Sequence, residues 1–178
     1  MYAGTLFRNR LQARWAVMFD ALKWPWRYQT LGLAWYVPDF ILKFEKSIAV
    51  EVKPEITFDA LKTYAARVIG AGWDGEVLVL GAGIFSGDVL GVLGDDADVA
   101  DGGSLVLGPG VVFQCINCGG GLSLMHGDMS HRCRVSGCYA GNAHAGHLEP
   151  GDLYGKWNAS SNRVQWKGPM SGQQGASR

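Results

Sequence analysis

The sequence lacks any apolar run of the roughly 18 residues that a membrane-spanning helix needs. Residues 1–10 also lack the apolar stretch and the small-residue cleavage site of a secretory signal. These absences argue against a helical membrane protein and against export, and they favour a cytoplasmic location. The 178 residues are 48% hydrophobic, which is enough for the core of one domain, alone or with a small appendage.

Lysine and arginine are absent from residues 68–131, a segment that carries eight acidic residues. Residues 1–27 and 132–178 each have a net charge of +4, and residues 28–67 carry five charges of each sign, so the whole chain is neutral. Because an electrostatic footprint is local, this neutrality does not exclude a DNA-binding face at the basic ends. The mixed surface of an ordinary soluble protein explains the same charges equally well.

The chain has only four cysteines, and all of them lie between residues 115 and 138. Such clustering in a chain without an export signal favours a metal site over disulfides. The spacing C-x2-C followed by C-x4-C predicts a structural Zn²⁺ site with no open position. The predicted ligands are Cys115, Cys118, Cys133 and Cys138. Because the second gap is longer than usual, His126 and His131 are reserve ligands, and four reduced structural thiols are the alternative.

Hydrophobic periodicity predicts a helix, three strands, a second helix and a fourth strand. The predicted elements are a helix at 6–22, strands at 26–30, 34–42 and 47–53, a helix at 57–71 and a strand at 76–81. The glycine-rich and acidic stretch 81–111 indicates short strands and loops. This order predicts an α/β fold with a mixed sheet flanked by helices, since a helix between the last two strands allows a parallel crossover.

Charged residues interrupt two of the predicted strands at one end of a hairpin. Pro38-Asp39 lies in the second strand, and Glu51-Val52-Lys53 ends the third. Glu51 and Lys53 are two residues apart and so point to the same face. Two carboxylates suit Mg²⁺, and a neighbouring ammonium could orient a water or stabilise charge during phosphodiester hydrolysis. A surface hairpin with a simple Glu–Lys pair is the structural alternative.

Pro38-Asp39 followed by Glu51-Val52-Lys53 resembles the Pro-Asp…(Asp/Glu)-x-Lys pattern of the PD-(D/E)XK nuclease superfamily. With the preceding helix FRNRLQARWAVMFDAL, residues 5–85 are similar to phage and bacterial members, which include Holliday-junction resolvases, RecB-like exonuclease domains and restriction enzymes. The resemblance implies a restriction-endonuclease-like fold and DNA cleavage that depends on Mg²⁺ or Mn²⁺. Asp39, Glu51 and the Val52 carbonyl would hold the metal, and Lys53 would assist the attacking water.

The first helix departs from that family pattern at one position. Related sequences usually carry a glutamate there, whereas this chain has Gln12. An amide can accept through its oxygen but brings no negative charge, so metal affinity should be lower. The chain could be a natural variant with one essential metal, a degenerate DNA-binding relative, or a form engineered to trap an uncut complex.

The predicted DNA contacts come from both basic ends of the chain. They are Arg8, Arg10 and Arg14 in the first helix, Arg132 and Arg134 beside the cysteines, and Lys167 in the C-terminal NRVQWK. Little chain is left for a recognition domain, which favours a structure-selective endonuclease acting on a junction, flap or fork over a restriction enzyme. A homodimer would follow for a junction cutter. The alternative from another class is a catalytically inactive DNA-binding or assembly protein.

The chain divides into three predicted parts. Residues 1–111 would form the nuclease-like domain, and residues 112–168 the zinc-ribbon module with a C-terminal extension. Residues 169–178, which are polar and glycine-rich, indicate a disordered tail. For a phage-encoded member of the family, the expected cytoplasm is that of the bacterial host.

Overall fold

The computed structural model describes residues 1–29, 36–95, 106–124, 132–138 and 152–164, and these segments contain three helices and seven strands. The helices are α1 (Arg10–Ala21), α2 (Phe58–Gly70) and α3 (Asp152–Arg163). The strands are β1 (Trp26–Tyr28), β2 (Phe40–Lys43), β3 (Ser47–Val52), β4 (Val77–Phe85), β5 (Val89–Asp95), β6 (Val106–Phe113) and β7 (Gly121–Leu124). No helix in these segments is long and apolar enough to cross a membrane.

The seven strands form one mixed sheet in chain order, from β1 to β7. β3 and β4 are parallel, with α2 as their crossover, and every other neighbouring pair is antiparallel. The predicted α/β class with a mixed sheet is therefore confirmed. The restriction-endonuclease-like arrangement stays a prediction.

The two faces of the sheet are covered by different helices. Alternate strand residues such as Val50 and Leu78 pack with α1 and α3, whereas Ala49 and Val77 pack with α2. This alternation follows from the two-residue period of a strand, which points successive side chains to opposite faces. The helices therefore bury both faces of the central strands, and this explains why those strands are apolar throughout.

α1 is fixed at two points that set the position of the site described below. The side chain of Asn9 caps the helix by accepting from the backbone N–H of Gln12 at 2.9 Å. The indole N–H of buried Trp15 donates to the carbonyl of Gly81 in β4 at 2.9 Å. The polar start of α1 is thus held over the ends of the central strands.

Several predicted boundaries differ from the observed ones. The helix predicted from residue 6 begins at Arg10 because Asn9 caps it, and the second helix is confirmed as α2. The stretch 81–111, where short strands and loops were expected, supplies the end of β4, all of β5 and most of β6. α3 was not predicted.

The sheet continues across the predicted domain boundary at residue 111. β6 spans that position, and β7, which lies inside the predicted zinc-ribbon module, pairs with β6. The indole N–H of Trp24 also donates to the carbonyl of Gly120 at 2.8 Å. The cysteine-bearing segment is therefore built onto the sheet. The predicted tail at 169–178 lies outside the described residues.

Candidate functional site

An open cavity of about 540 Å³ lies where β2 begins and β3 ends. The turn before α1 and the residues before β2 complete its wall. Its lining residues are Arg8, Asn9, Gln12, Tyr36, Val37, Asp39, Glu51, Val52, Lys53 and Pro54. All four residues predicted for catalysis, Gln12, Asp39, Glu51 and Lys53, therefore line one cavity.

Asp39 is buried and both of its carboxylate oxygens accept hydrogen bonds. Oδ1 accepts from the Gln12 amide Nε2 at 2.6 Å, and Oδ2 accepts from the backbone N–H of Val52 at 2.9 Å. Burial, followed by the negative charge of Glu51, raises the pKa of Asp39 despite these hydrogen bonds. A cation bound beside Asp39 would offset the energetic cost of burying this negative charge.

Glu51 is equally buried and also has a donor at each oxygen. The Tyr36 hydroxyl donates to Oε2, and the Lys53 ammonium pairs with Oε1. Burial, followed by its hydrogen bond to Glu51, raises the pKa of Tyr36. The Lys53 side chain is 27% exposed, and its Nζ lies 5.0 Å from the ring centroid of Tyr64. Lys53 thus pairs with a buried carboxylate while part of its side chain is exposed on the open side of the cavity.

Gln12 is held from behind by a tyrosine that the sequence did not single out. The Tyr28 hydroxyl donates to Gln12 Oε1 at 2.9 Å and accepts from the backbone N–H of Arg8 at 3.0 Å. Tyr36 was missed as well. Tyr28 and Tyr36 both fall in predicted aromatic strands, which was the only sign of them in the sequence. Their contacts with Gln12 and Glu51 depend on how α1 and β3 pack against those strands.

The donor set of the cavity suits a hard divalent cation. Two buried carboxylates supply oxygen ligands, and Mg²⁺ favours such ligands. All four carboxylate oxygens already carry a hydrogen-bond donor or an ion-pair partner, and each oxygen has a further lone pair that could bind a cation. Val52 lines the cavity and contributes its N–H to Asp39, and the role of its carbonyl as a ligand stays a prediction.

The three arginines around α1 have different surroundings. Arg8 lines the cavity. Arg10 donates to the carbonyl of Ser161 at 3.4 Å. The guanidinium of Arg14 lies 3.6 Å from the ring centroid of Trp157 in α3 and donates to that residue's carbonyl at 2.9 Å. Arg8 is therefore the best placed of the three for a phosphate near the cavity, and DNA binding by Arg10 and Arg14 stays a prediction.

The arginines beside the cysteines form ion pairs with the sheet. Arg132 pairs with Glu45 in the β2–β3 turn at 2.9 Å, and Arg134, which is buried, pairs with Glu76 before β4 at 2.9 Å. These contacts fasten the cysteine segment to the sheet, and DNA binding by either arginine stays a prediction. Lys167 lies outside the described residues.

The cysteines come together at the end of the sheet opposite to the cavity. The sulfurs of Cys115, Cys133 and Cys138 lie within 4.8 Å of one another, and this group could hold a metal ion. The Cys118 sulfur lies 3.6 Å from that of Cys133. The reserve ligands His126 and His131 lie outside the described residues.

The backbone beside the cysteines turns twice in the same way. The N–H groups of Gly119 and Gly137 donate to the carbonyls of Cys115 and Cys133 at 2.7 and 2.8 Å, and both glycines have positive φ. Burial opposes ionisation of Cys115, but hydrogen bonds from Ser136 and from backbone N–H groups outweigh it and lower its pKa to about 6. These hydrogen bonds therefore favour the thiolate form of Cys115, which is the form that binds a metal.

Comparison of the chain with protein families, with curated proteins and with solved structures finds no match. The resemblance to PD-(D/E)XK nucleases therefore rests on the motif residues and their order along the chain. To this the fold adds one geometric fact, which is that the motif residues and Gln12 line the same cavity.

Proposed function

We propose that this chain is a Mg²⁺-dependent DNA endonuclease with a restriction-endonuclease-like fold. The observation that carries the proposal is the convergence of Asp39, Glu51 and Lys53 in one open cavity, where β2 begins and β3 ends, with Gln12 of α1 beside them. Apolar strands rarely end in three such charges without a function. A surface hairpin with a simple ion pair would not bury both carboxylates.

The residues take distinct roles in this proposal. Asp39 and Glu51 would hold Mg²⁺ or Mn²⁺, with the Val52 carbonyl as a further ligand. The bound metal would act as a Lewis acid toward a phosphate oxygen. Lys53, once released from Glu51 by the cation, would donate to the attacking water or to the phosphate. Arg8 would bind a neighbouring backbone phosphate.

The proposed substrate is DNA of particular shape, such as a junction, flap or fork. In the described part of the chain, α1, α2 and α3 all pack on the sheet. No separate recognition domain therefore stands beside the cavity in those residues, and sequence-specific reading of bases is disfavoured. A homodimer would follow for a junction cutter and stays a prediction.

A second candidate is a nuclease-fold protein that binds DNA without cutting it. The contact that favours it is the hydrogen bond from the Gln12 amide to Asp39, because an N–H donor stands where a third carboxylate would assist the metal. The same fold and basic surface would then serve DNA binding or assembly. Cleavage assays separate the two candidates.

For the cysteine group we infer a structural Zn²⁺ site with four ligands, Cys115, Cys118, Cys133 and Cys138. Sulfurs around a tetrahedral Zn²⁺ lie about 3.8 Å apart, from Zn–S bonds of about 2.3 Å. The sulfurs of Cys115 and Cys138 are 3.3 Å apart and those of Cys118 and Cys133 are 3.6 Å apart, which is close to that geometry. Four ligands leave no position for a reacting water, so the role is structural.

The test is cleavage of junction, flap, single-stranded and duplex DNA with Mg²⁺ or Mn²⁺. We expect the wild-type chain to cut at least one branched substrate. Lys53→Ala should lower the rate by about 10²- to 10⁴-fold because it removes an acid–base group. Lys62→Ala is the matched control, because Lys62 lies on α2 and pairs with exposed Asp59.

Two outcomes would contradict the enzymatic proposal. One is equal cleavage by Lys53→Ala and Lys62→Ala, which would point to a contaminating nuclease or another site. The other is DNA binding without cutting by both the wild-type chain and Gln12→Glu, which would leave the non-catalytic candidate. If Gln12→Glu alone switches cleavage on, the third carboxylate was the missing group.

A further inference from the structure

Tyr28 lies behind the cavity, and strand pairing and aromatic contacts hold its ring. It lies in β1 directly opposite Phe40 of β2. Its ring centroid is 4.6 Å from that of Phe7 and 5.2 Å from that of Phe40. Because aromatic neighbours and the strand pairing hold the ring, the hydroxyl has little freedom to move away from Gln12.

One of the hydrogen bonds of this hydroxyl has a fixed direction. The backbone N–H of Arg8 can only donate, so the Tyr28 oxygen accepts from it. The hydroxyl donates its single proton to Gln12 Oε1 at 2.9 Å. This contact is shorter than the 3.1 Å to the amide oxygen of Gln29, in the orientation in which that amide also accepts from Arg8. With its oxygen engaged in this way, the Gln12 amide turns its NH₂ group toward Asp39, 2.6 Å from Oδ1.

This orientation matters because an amide can bind a cation only through its oxygen. A cation entering the cavity meets the Gln12 NH₂ group, which occupies Asp39 and repels positive charge. Rotating the amide would give the cation an oxygen ligand, but the Tyr28 hydroxyl would then lose its 2.9 Å hydrogen bond to Gln12 and keep only the longer contact with Gln29. The rotation also breaks the hydrogen bond to Asp39, which a bound cation would replace, so the cost that remains arises at Tyr28, outside the group of metal ligands.

We infer that Tyr28 is a positioning residue that locks the Gln12 amide against Asp39 and thereby weakens divalent-cation binding at the proposed catalytic site. The inference rests on the proposed metal site. It assigns the low metal affinity expected of this chain to a pair of residues, Tyr28 and Gln12, rather than to the amide alone.

The test measures binding of Mn²⁺ alone by electron paramagnetic resonance to the full chain. In Tyr28→Phe the affinity should rise by about three- to tenfold, the range that follows from losing one ordinary hydrogen bond. Tyr154→Phe is the matched control and should leave the affinity unchanged, because that hydroxyl donates to the carbonyl of Phe85 on β4. Loss of the signal in Asp39→Asn would assign it to this cavity.

The Gln12→Glu background separates positioning from a general structural effect. Both oxygens of a carboxylate are acceptors, so the effect of Tyr28→Phe on Mn²⁺ affinity should shrink to less than about twofold there.

Denaturant unfolding of each variant checks that the fold is kept. Equal Mn²⁺ affinity of the wild-type chain and Tyr28→Phe would overturn the inference while leaving the metal site in place. Absence of Mn²⁺ binding at Asp39 in every variant would overturn the metal site and, with it, the inference.

Discussion

At the scale of single residues, protein groups surround both buried carboxylates of the cavity. Each oxygen of Asp39 and Glu51 has a polar partner, and the Gln12 amide supplies one of them. A glutamate in place of Gln12 would bring a third carboxylate to within hydrogen-bonding distance of Asp39. The amide therefore removes a repulsion that only a bound cation or a proton could otherwise relieve.

The substitution Gln12→Glu tests this idea through stability. In EDTA we expect the free energy of unfolding to fall by about 2–3 kcal/mol, because a buried hydrogen bond becomes a carboxylate–carboxylate contact. Mg²⁺ should restore much of the loss, so that its stabilising effect is larger in Gln12→Glu than in the wild-type chain. Urea unfolding at neutral pH with and without Mg²⁺ measures both quantities.

Gln114 provides the control for that experiment, since it is exposed. Gln114→Glu adds the same charge and should change stability by less than about 0.5 kcal/mol in either buffer. If Gln12→Glu is as stable in EDTA as the wild-type chain, the two carboxylates do not repel one another. The result would contradict the claim that the Gln12 amide relieves a repulsion at Asp39.

The sequence was sufficient to predict that Asp39, Glu51 and Lys53 meet, but not what holds them. Their meeting follows from the hairpin, whose observed pairing of Phe40 with Val50 brings Asp39 level with Glu51. Tyr28 depends instead on the register between β1 and β2 and on the approach of α1. A local sequence pattern predicts neither the register nor the position of α1, because both depend on packing between elements that are distant in the chain.

At the scale of elements, glycine and polar composition misled the prediction in two places. β5 and β6 are rich in glycine and were expected to be broken by loops, yet Gly91 allows a close approach between strands. A Cβ at Gly91 would lie 2.0 Å from the carbonyl oxygen of Val79 on β4. α3 was missed because its buried apolar residues are a single pair, Leu153 and Trp157. One pair with helical spacing, with Gly155 between its members, is too short a pattern to predict a helix.

Replacing Gly91 by alanine tests the close approach of β4 and β5. The added methyl group collides with main-chain atoms that have no other place to go, so we expect a loss of more than about 3 kcal/mol or failure to fold. Gly70→Ala is the matched control. Gly70 ends α2 with open space around it and should be neutral or stabilising by up to about 1 kcal/mol. Similar thermal unfolding of both variants would contradict the packing at Gly91.

At the scale of the whole molecule, the two candidate metal sites lie at opposite ends of β3. The cavity is at its last residues, whereas the cysteine segment contacts the β2–β3 turn through Glu45 and the start of β4 through Glu76. The six residues of β3 span about 16 Å at about 3.3 Å per residue. Each site is thus tied to the same sheet but shares no ligand with the other, and their metals should bind independently.

Removal of the cysteine-bound metal tests this independence. We expect the purified chain to carry about one Zn²⁺, bound by sulfur, and Cys133→Ser to lose it. Unfolding free energy should fall by about 4 kcal/mol or more, because a tightly bound ion stabilises only the folded chain. Ser86→Ala is the control, since it keeps all four thiols and Ser86 is exposed in the turn between β4 and β5. Zn²⁺ content is measured by atomic emission.

Under conditions where Cys133→Ser is still folded, its Mn²⁺ affinity at Asp39 should equal that of Ser86→Ala, because Mn²⁺ prefers oxygen ligands to thiolates. A parallel loss of Mn²⁺ binding would instead show that the cysteine segment controls the geometry of the cavity through the strands of the sheet.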